Sequence, residues 1–288
     1  MALALTVASA PLVAQEKISR RLAVDPDVSI RIVNLTGATR VSGWDADSVA
    51  VTGSVPRGSN FYMGGGFRGV KLGVESPEAL GGPGAELVIR VPRRARVWVK
   101  SATASITVEG IEGEVDAYSV SGPVSIRGAP GLVTAESMDG DVEIDTRSRV
   151  TRAKSAAGNI TIHRAAGEVV ASSVSGAVRL LDARELAGGR LESVTGAVTF
   201  RGSLARGAAI DLQTHEAPIE ISLAPMQGAT LDVSAFGGRI TNAIPGAGGT
   251  AAKGKPTRYL VGSGDAHLTV RSLKGDVRIR RLLPRPNP

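Results

Sequence analysis

Between Arg96 and Arg201 apolar residues recur in pairs two positions apart, and the pairs recur every 18 residues. Aligned on a glycine, the segments read SATASITV, SVSGPVSI, SMDGDVEI, SAAGNITI, SVSGAVRL and, after two extra residues, SVTGAVTF. Two positions after the glycine column stand Ile106, Val124, Val142, Ile160, Val178 and Val198; four after it stand Val108, Ile126, Ile144, Ile162, Leu180 and Phe200. Period two is the pattern of a half-buried strand. Val142 and Ile144 therefore face a core, and Asp141 and Glu143 face out. A second alternation precedes each glycine, with inward positions such as Val97, Val99 and Ser101, then Val115, Ala117 and Ser119. Each repeat thus predicts two short strands and two turns, and helical periodicity is missing.

A strict repeat of this length stacks. Equivalent strands of successive coils pair in parallel about 4.8 Å apart, and each coil buries the apolar row of its neighbour. The apolar positions fall two, four, eleven and thirteen after the glycine, which does not reduce to the hexad of left-handed hexapeptide β-helices. The prediction is all-β: a single-stranded parallel β-helix, or β-solenoid, of ~18-residue coils, with right-handed crossovers as the default. About ten to twelve coils would make a rod of roughly 50 Å. The glycine column (Gly122, Gly140, Gly158, Gly176, Gly196, with Ala104 in its place first) marks a corner that needs positive φ or close backbone approach. The serine three before it (Ser101, Ser119, Ser137, Ser155, Ser173, Ser193) fits inside that corner, where hydroxyls can bond each other or the turn backbone. A ladder of serines is not a nucleophile, which needs one exposed hydroxyl beside a base.

The template extends both ways. Ile30, Ile32, Asn34, Gly37, Thr39 and Val41 follow it upstream, before glycine-rich loops at Val55 to Gly69 and around Gly81 to Gly84. Downstream, Ile210 to Ile221 and Leu231 to Ile240 are looser, Thr241 to Thr257 is a loop, and Leu268, Val270, Ser272, Gly275, Val277 and Ile279 close the chain as a clean last coil. The expected organisation is irregular coils over 15–95, regular coils over 96–207, looser coils over 208–282 and a proline-rich tail over 283–288. Residues 1–14 (MALALTVASAPLVA) are uncharged and apolar and read as a signal peptide cleaved after Ala14. That segment is too short to span a bilayer, and no later run of ~20 apolar residues follows, so the mature chain is expected to be exported and not membrane-spanning, in the periplasm or at the cell surface.

Candidate chemistry changes this picture little. The chain has no cysteine, so thiolate metal sites and disulfides are excluded. Gly64 to Gly69 matches GxGxxG but does not join a strand to a helix, and Gly249 to Lys255 resembles a phosphate loop with Pro256 where Ser or Thr must stand. His163, His215 and His267 lie 52 residues apart without a paired ligand. The outward column Thr107, Ser125, Glu143, Thr161, Arg179 and Thr199 stacks no carboxylates, whereas a polysaccharide hydrolase needs a carboxylate pair. No catalytic residue, metal ligand or cofactor is predicted. Charge is the remaining lead. The net charge is +7, and residues 253–285 carry Lys253, Lys255, Arg258, Arg271, Lys274, Arg278, Arg280, Arg281 and Arg285 against Asp265 and Asp276. Lys274, Arg278, Arg280 and Arg281 are the candidate patch, either as a charged cap on an open sheet edge or as a docking face for an anionic polymer or lipid headgroups.

Leu87-Val-Ile-Arg-Val-Pro92 followed by Val97-Trp-Val-Lys-Ser101, then the repeated Ser-Val-Ser-Gly and Gly-Asp-Val units, resemble the bacterial putative-adhesin family of β-strand repeats, also called the toastrack domain. The resemblance covers roughly residues 24–282. It implies a β-helix at or outside the bacterial membrane, sometimes tied to envelope-stress systems, and brings no catalytic residues. The expected function is that of an exported, non-enzymatic binding or scaffold protein of the cell envelope, adhesin-like, with an envelope protein or anionic surface polymer as partner and no nucleic acid. The competing readings are a polysaccharide-active β-helix enzyme and a regulatory or spacer module of an envelope-stress system.

Overall fold

The computed structural model describes residues 15–76, 83–247, 249–251 and 255–282; the predicted signal peptide and the proline-rich tail lie outside them. The chain is all-β, with no helix among these residues. The irregular first part forms β1 (Gln15–Ala23), β2 (Ser29–Val33), β3 (Gly37–Trp44), β4 (Ser48–Pro56), β5 (Asn60–Gly66), β6 (Gly69–Glu75) and β7 (Ala85–Pro92). The regular repeats follow as β8 (Arg96–Lys100), β9 (Ser105–Ile111), β10 (Glu114–Ser119), β11 (Val124–Gly128), β12 (Leu132–Ser137), β13 (Val142–Thr146), β14 (Val150–Ser155), β15 (Ile160–His163) and β16 (Glu168–Ser173). Two long bent strands, β17 (Val178–Ser193) and β18 (Val198–Thr214), each turn a corner without a break. The chain ends with β19 (Ile219–Leu223), β20 (Ala229–Ala235), β21 (Ile240–Asn242), β22 (Gly249–Ala251), β23 (Thr257–Val261), β24 (Ala266–Ser272) and β25 (Val277–Arg281).

Strands two apart in sequence pair in parallel and in register: β8, β10, β12, β14 and β16 on one side, β9, β11, β13 and β15 on the other. The result is a solenoid-like stack of two strand columns around a shared apolar interior. Val142 and Ile144 are fully buried while Asp141 and Glu143 are exposed, as the alternation predicts. Each buried Val or Ile contributes about 1.5–3 kcal/mol relative to exposure, and Leu, Ala, Ser, Thr and the single buried Phe200 fill most of the rest of the described interior.

The corner column is explained by close approach, not by positive φ. Gly122, Gly140, Gly158, Gly176 and Gly196 are not among the residues with positive φ. A Cβ on Gly158 would stand 2.1 Å from the carbonyl oxygen of Gly140, and one on Gly176 1.9 Å from that of Gly158. The serine hydroxyls bond backbone, not each other. Ser137, Ser155, Ser173 and Ser193 accept from the N–H of Gly140, Gly158, Gly176 and Gly196 at 2.9–3.0 Å. The same hydroxyls reach carbonyls of the preceding coil, as Ser193 does to Gly176 at 2.8 Å. Carboxylate and amide side chains just after the glycine extend the ladder: Asp141 accepts from the N–H of Asn159 at 2.7 Å, and Asn159 from that of Ala177 at 3.1 Å. The two extra residues of the last repeat are absorbed in β17, where Asp182 and Glu185 take left-handed φ of 53° and 50° and the register to β18 shifts.

Stacking does not follow chain order at either end. The last coil, β24–β25, lies between β18–β19 and β20–β21: Ile219 N–H donates to the backbone carbonyl of Asp276, and Val277 N–H to that of Arg239. The expected terminal coil is therefore internal. Its Ser272 and Gly275 suit a coil with neighbours on both sides, since Gly275 packs on Ala217 and Gly238 packs on Gly275. The rim coil has Ala235 in the serine column and is closed by antiparallel β22 and β23. At the other end β2–β3 sits between β6–β7 and β8–β9, and the outermost strands, β5 on one column and β4 with β1 on the other, are antiparallel.

Candidate functional site

The predicted basic patch is mostly neutralised where the fold places it. Glu220 and Arg278 are direct cross-strand partners, and Arg278 lies 3.5 Å from both Glu220 and Asp276. Lys274 donates to Glu216 at 2.8 Å, and this bond holds the Glu216 carboxyl below its ordinary value. Arg258 makes two bonds to Asp232, at 2.6 and 3.0 Å, which likewise lower the Asp232 carboxyl. His267 joins the same carboxylate at 3.3 Å. Arg271 faces Asp211 at 3.6 Å. Arg280 and Arg281 bond neutral groups instead: Arg280 the Ser222 hydroxyl at 3.0 Å, Arg281 the carbonyls of Ala224 and Gln227 at 2.8 and 2.7 Å. With Arg201 they line a groove of about 580 Å³. Because β25 is paired on both sides over Val277–Ile279, Arg278 does not guard an open edge.

The opposite end of the stack carries cations that have no acid partner among the described residues. The register β5–β6–β2–β8 aligns Gly64, Lys71, Arg31 and Trp98 in one outward row, and Tyr62, Gly73, Val33 and Lys100 in the next. Arg31 lies over the Trp98 ring at 4.9 Å, a cation–π contact that fixes the guanidinium without neutralising it. Tyr118 buttresses Trp98 from the next coil, its ring centroid 5.9 Å away. The Tyr62 ring end lies over Gly73, where a Cβ would come within 2.7 Å of the hydroxyl; burial and then Glu75 push the phenol up, so it stays a donor. Among the described residues, Arg31, Lys71 and Lys100 form no ion pair within 4.0 Å. Arg96, exposed on the same face, stands opposite Glu114 without reaching it. A groove of about 720 Å³ opens between these groups, lined by Ser29, Arg31, Tyr62, Lys71 and the backbone at Gly64, Gly65 and Gly69.

Sequence reasoning missed this face for a specific reason. Lys71 and Arg31 are forty residues apart and meet only because β2 is inserted between β6 and β8. The Gly64–Gly69 run was the available signal: among its glycines, Gly64, Gly66 and Gly69 have open space where a Cβ would stand, unlike the corner column. The second glycine-rich stretch, Gly249 to Lys255, falls partly outside the described residues. The three histidines do not meet, and no group of three His, Cys, Asp or Glu able to hold a metal occurs among the described residues.

These features define an all-β, solenoid-like repeat protein with a basic, aromatic surface at one end. No family model and no curated protein matches the chain. Two solved structures are similar to it. One is a putative cell adhesion protein from Clostridium sporogenes, 8% identical over 93% of this chain and 100% of that one, TM-score 0.27. The other is a putative adhesin from Bacteroides fragilis, 12% identical over 94% of this chain and 99% of that one, TM-score 0.43.

Proposed function

We propose that this chain is an exported, non-enzymatic binding protein of the bacterial envelope, adhesin-like, built as a right-handed single-stranded β-helix that presents a basic face to anionic surface polymers. The observation that carries the reading is the set of cations, Arg31, Lys71 and Lys100, that form no ion pair among the described residues and are held on one outward face. No helix among the described residues is long and apolar enough to cross a membrane. The test is retention on polyanionic glycan and on anionic liposomes at low and high salt. Exposed charges are screened within ~10 Å at about 0.1 M salt, so retention should fall steeply as salt rises. Salt-insensitive retention, or none on either support, overturns the proposal.

A further inference from the structure

The groove at the β5–β6 end has features that charge attraction alone does not require, and they narrow the ligand. Resting on the anionic-polymer reading, we propose that it is a subsite for an acidic saccharide, a sugar ring bearing a carboxylate. Lys71 and Arg31 stand on adjacent strands, about 4.8 Å apart in the sheet, on the same outward row. That spacing lets both reach one carboxylate, and a guanidinium offers it two parallel donors. Trp98 holds Arg31 from the far side at 4.9 Å, so the fork is ordered before a ligand arrives. Tyr62 supplies the second element. The end of its ring lies over Gly73 and the residue lines the groove, bringing to it an aromatic side chain with a flat apolar body and a polar tip. A pyranose has a matching face of C–H groups and a rim of hydroxyls. The Ser29 hydroxyl and the Tyr62 phenol line the same groove and can meet that rim.

The glycines supply the third element. A Cβ at Gly64 would meet nothing within 4 Å, and the same holds at Gly66 and Gly69. Glycine at these positions is therefore not imposed by packing, as it is at the corners. It keeps the outer surface of the hairpin bare. Among the described residues β5 pairs only with β6, so the groove is open along the rim of the stack, and an extended polymer can pass through without needing an end.

The experiment measures binding of a galacturonic-acid oligomer to the full chain by calorimetry, beside its methyl-esterified counterpart and inorganic polyphosphate. The acid should bind, and the ester should bind at least about tenfold more weakly, a loss of 1.4 kcal/mol. Lys71→Ala and Tyr62→Ala should each weaken the acid about tenfold. Gly64→Leu fills the groove at a position with free space and leaves every charge in place, and it should weaken the acid by a similar factor while the melting temperature holds. Polyphosphate should not respond to Tyr62→Ala or Gly64→Leu. If the acid responds to Lys71→Ala but to neither Tyr62→Ala nor Gly64→Leu, the surface binds charge alone; the saccharide inference falls and the anionic-polymer reading stands. If neither the galacturonic acid nor polyphosphate binds, both fall.

Discussion

The middle coils and the β5–β6 end use the same residue types for opposite purposes. In the middle, glycine gives backbone room to backbone: Gly158 lies where a Cβ would collide with Gly140 at 2.1 Å. At the end, Gly64 has open space. Several cations in the coils are matched by acids, as with Lys154 and Glu136 at 3.8 Å or Arg164 and Asp145, and the C-terminal coil adds Lys274 and Arg278. Arg31 instead meets an aromatic ring, and among the described residues Lys71 meets no acid within 4.0 Å. A residue's role is thus set by whether its neighbour in the stack completes it. Basic composition alone cannot distinguish a paired cation from an unpaired one.

The largest effects lie in the middle. Ile144→Asp places a carboxylate in a fully buried column with no partner, at a cost of several kcal/mol, whereas Glu143→Ala removes only an exposed pair with Arg127 and should cost less than about 1 kcal/mol. Urea midpoints separate the two, and similar midpoints would refute the assigned facing. Gly158→Ala should destabilise by about 1–3 kcal/mol through overpacking. Gly64→Ala, in contrast, should stay within about 0.5 kcal/mol of the parent. Equal losses at the two glycines would erase the distinction between corner and groove.

Next comes the serine ladder. Ser155→Ala leaves the buried Gly158 N–H without its 2.9 Å acceptor, which should cost about 1–3 kcal/mol. The smallest effect concerns pH. Glu216 and Asp232 are lowered in the folded state by Lys274 and Arg258 respectively. Their contribution is present above the unfolded carboxylate values and is lost as the pH falls through the folded ones, below about pH 4. Both pairs are exposed, so the gain is small. Lys274→Met should flatten part of the melting temperature's acid limb, while Lys71→Met should leave it unchanged, since among the described residues no acid stands within 4.0 Å of Lys71.

The strand pairs, their facing and the glycine and serine corners were legible in the sequence because an 18-residue period in register repeats the same local physics. Two things were not. Ile30 to Val41 and Leu268 to Ile279 match the template as well as any coil, and a template match carries no information about which coil lies beside which. The insertion of β2–β3 and β24–β25 into the stack is decided by the rim, where antiparallel β5, β4, β22 and β23 take the outer positions. The groove depends on that insertion, since it brings Lys71 beside Arg31. Where Lys274 and Arg278 would find their partners, 58 residues away in Glu216 and Glu220, was hidden for the same reason.

The difference between the two basic regions is tested most directly by zero-length coupling. A galacturonic-acid oligomer is bound to the full chain, its carboxylates are activated with a carbodiimide, and the lysine adducts are mapped by peptide mass. Lys71, with Lys100 beside it, should carry the sugar, and 0.5 M salt should abolish the adduct. Lys274, 2.8 Å from Glu216, should couple to that glutamate instead. Sugar on Lys274 with Lys71 unmodified would contradict the account.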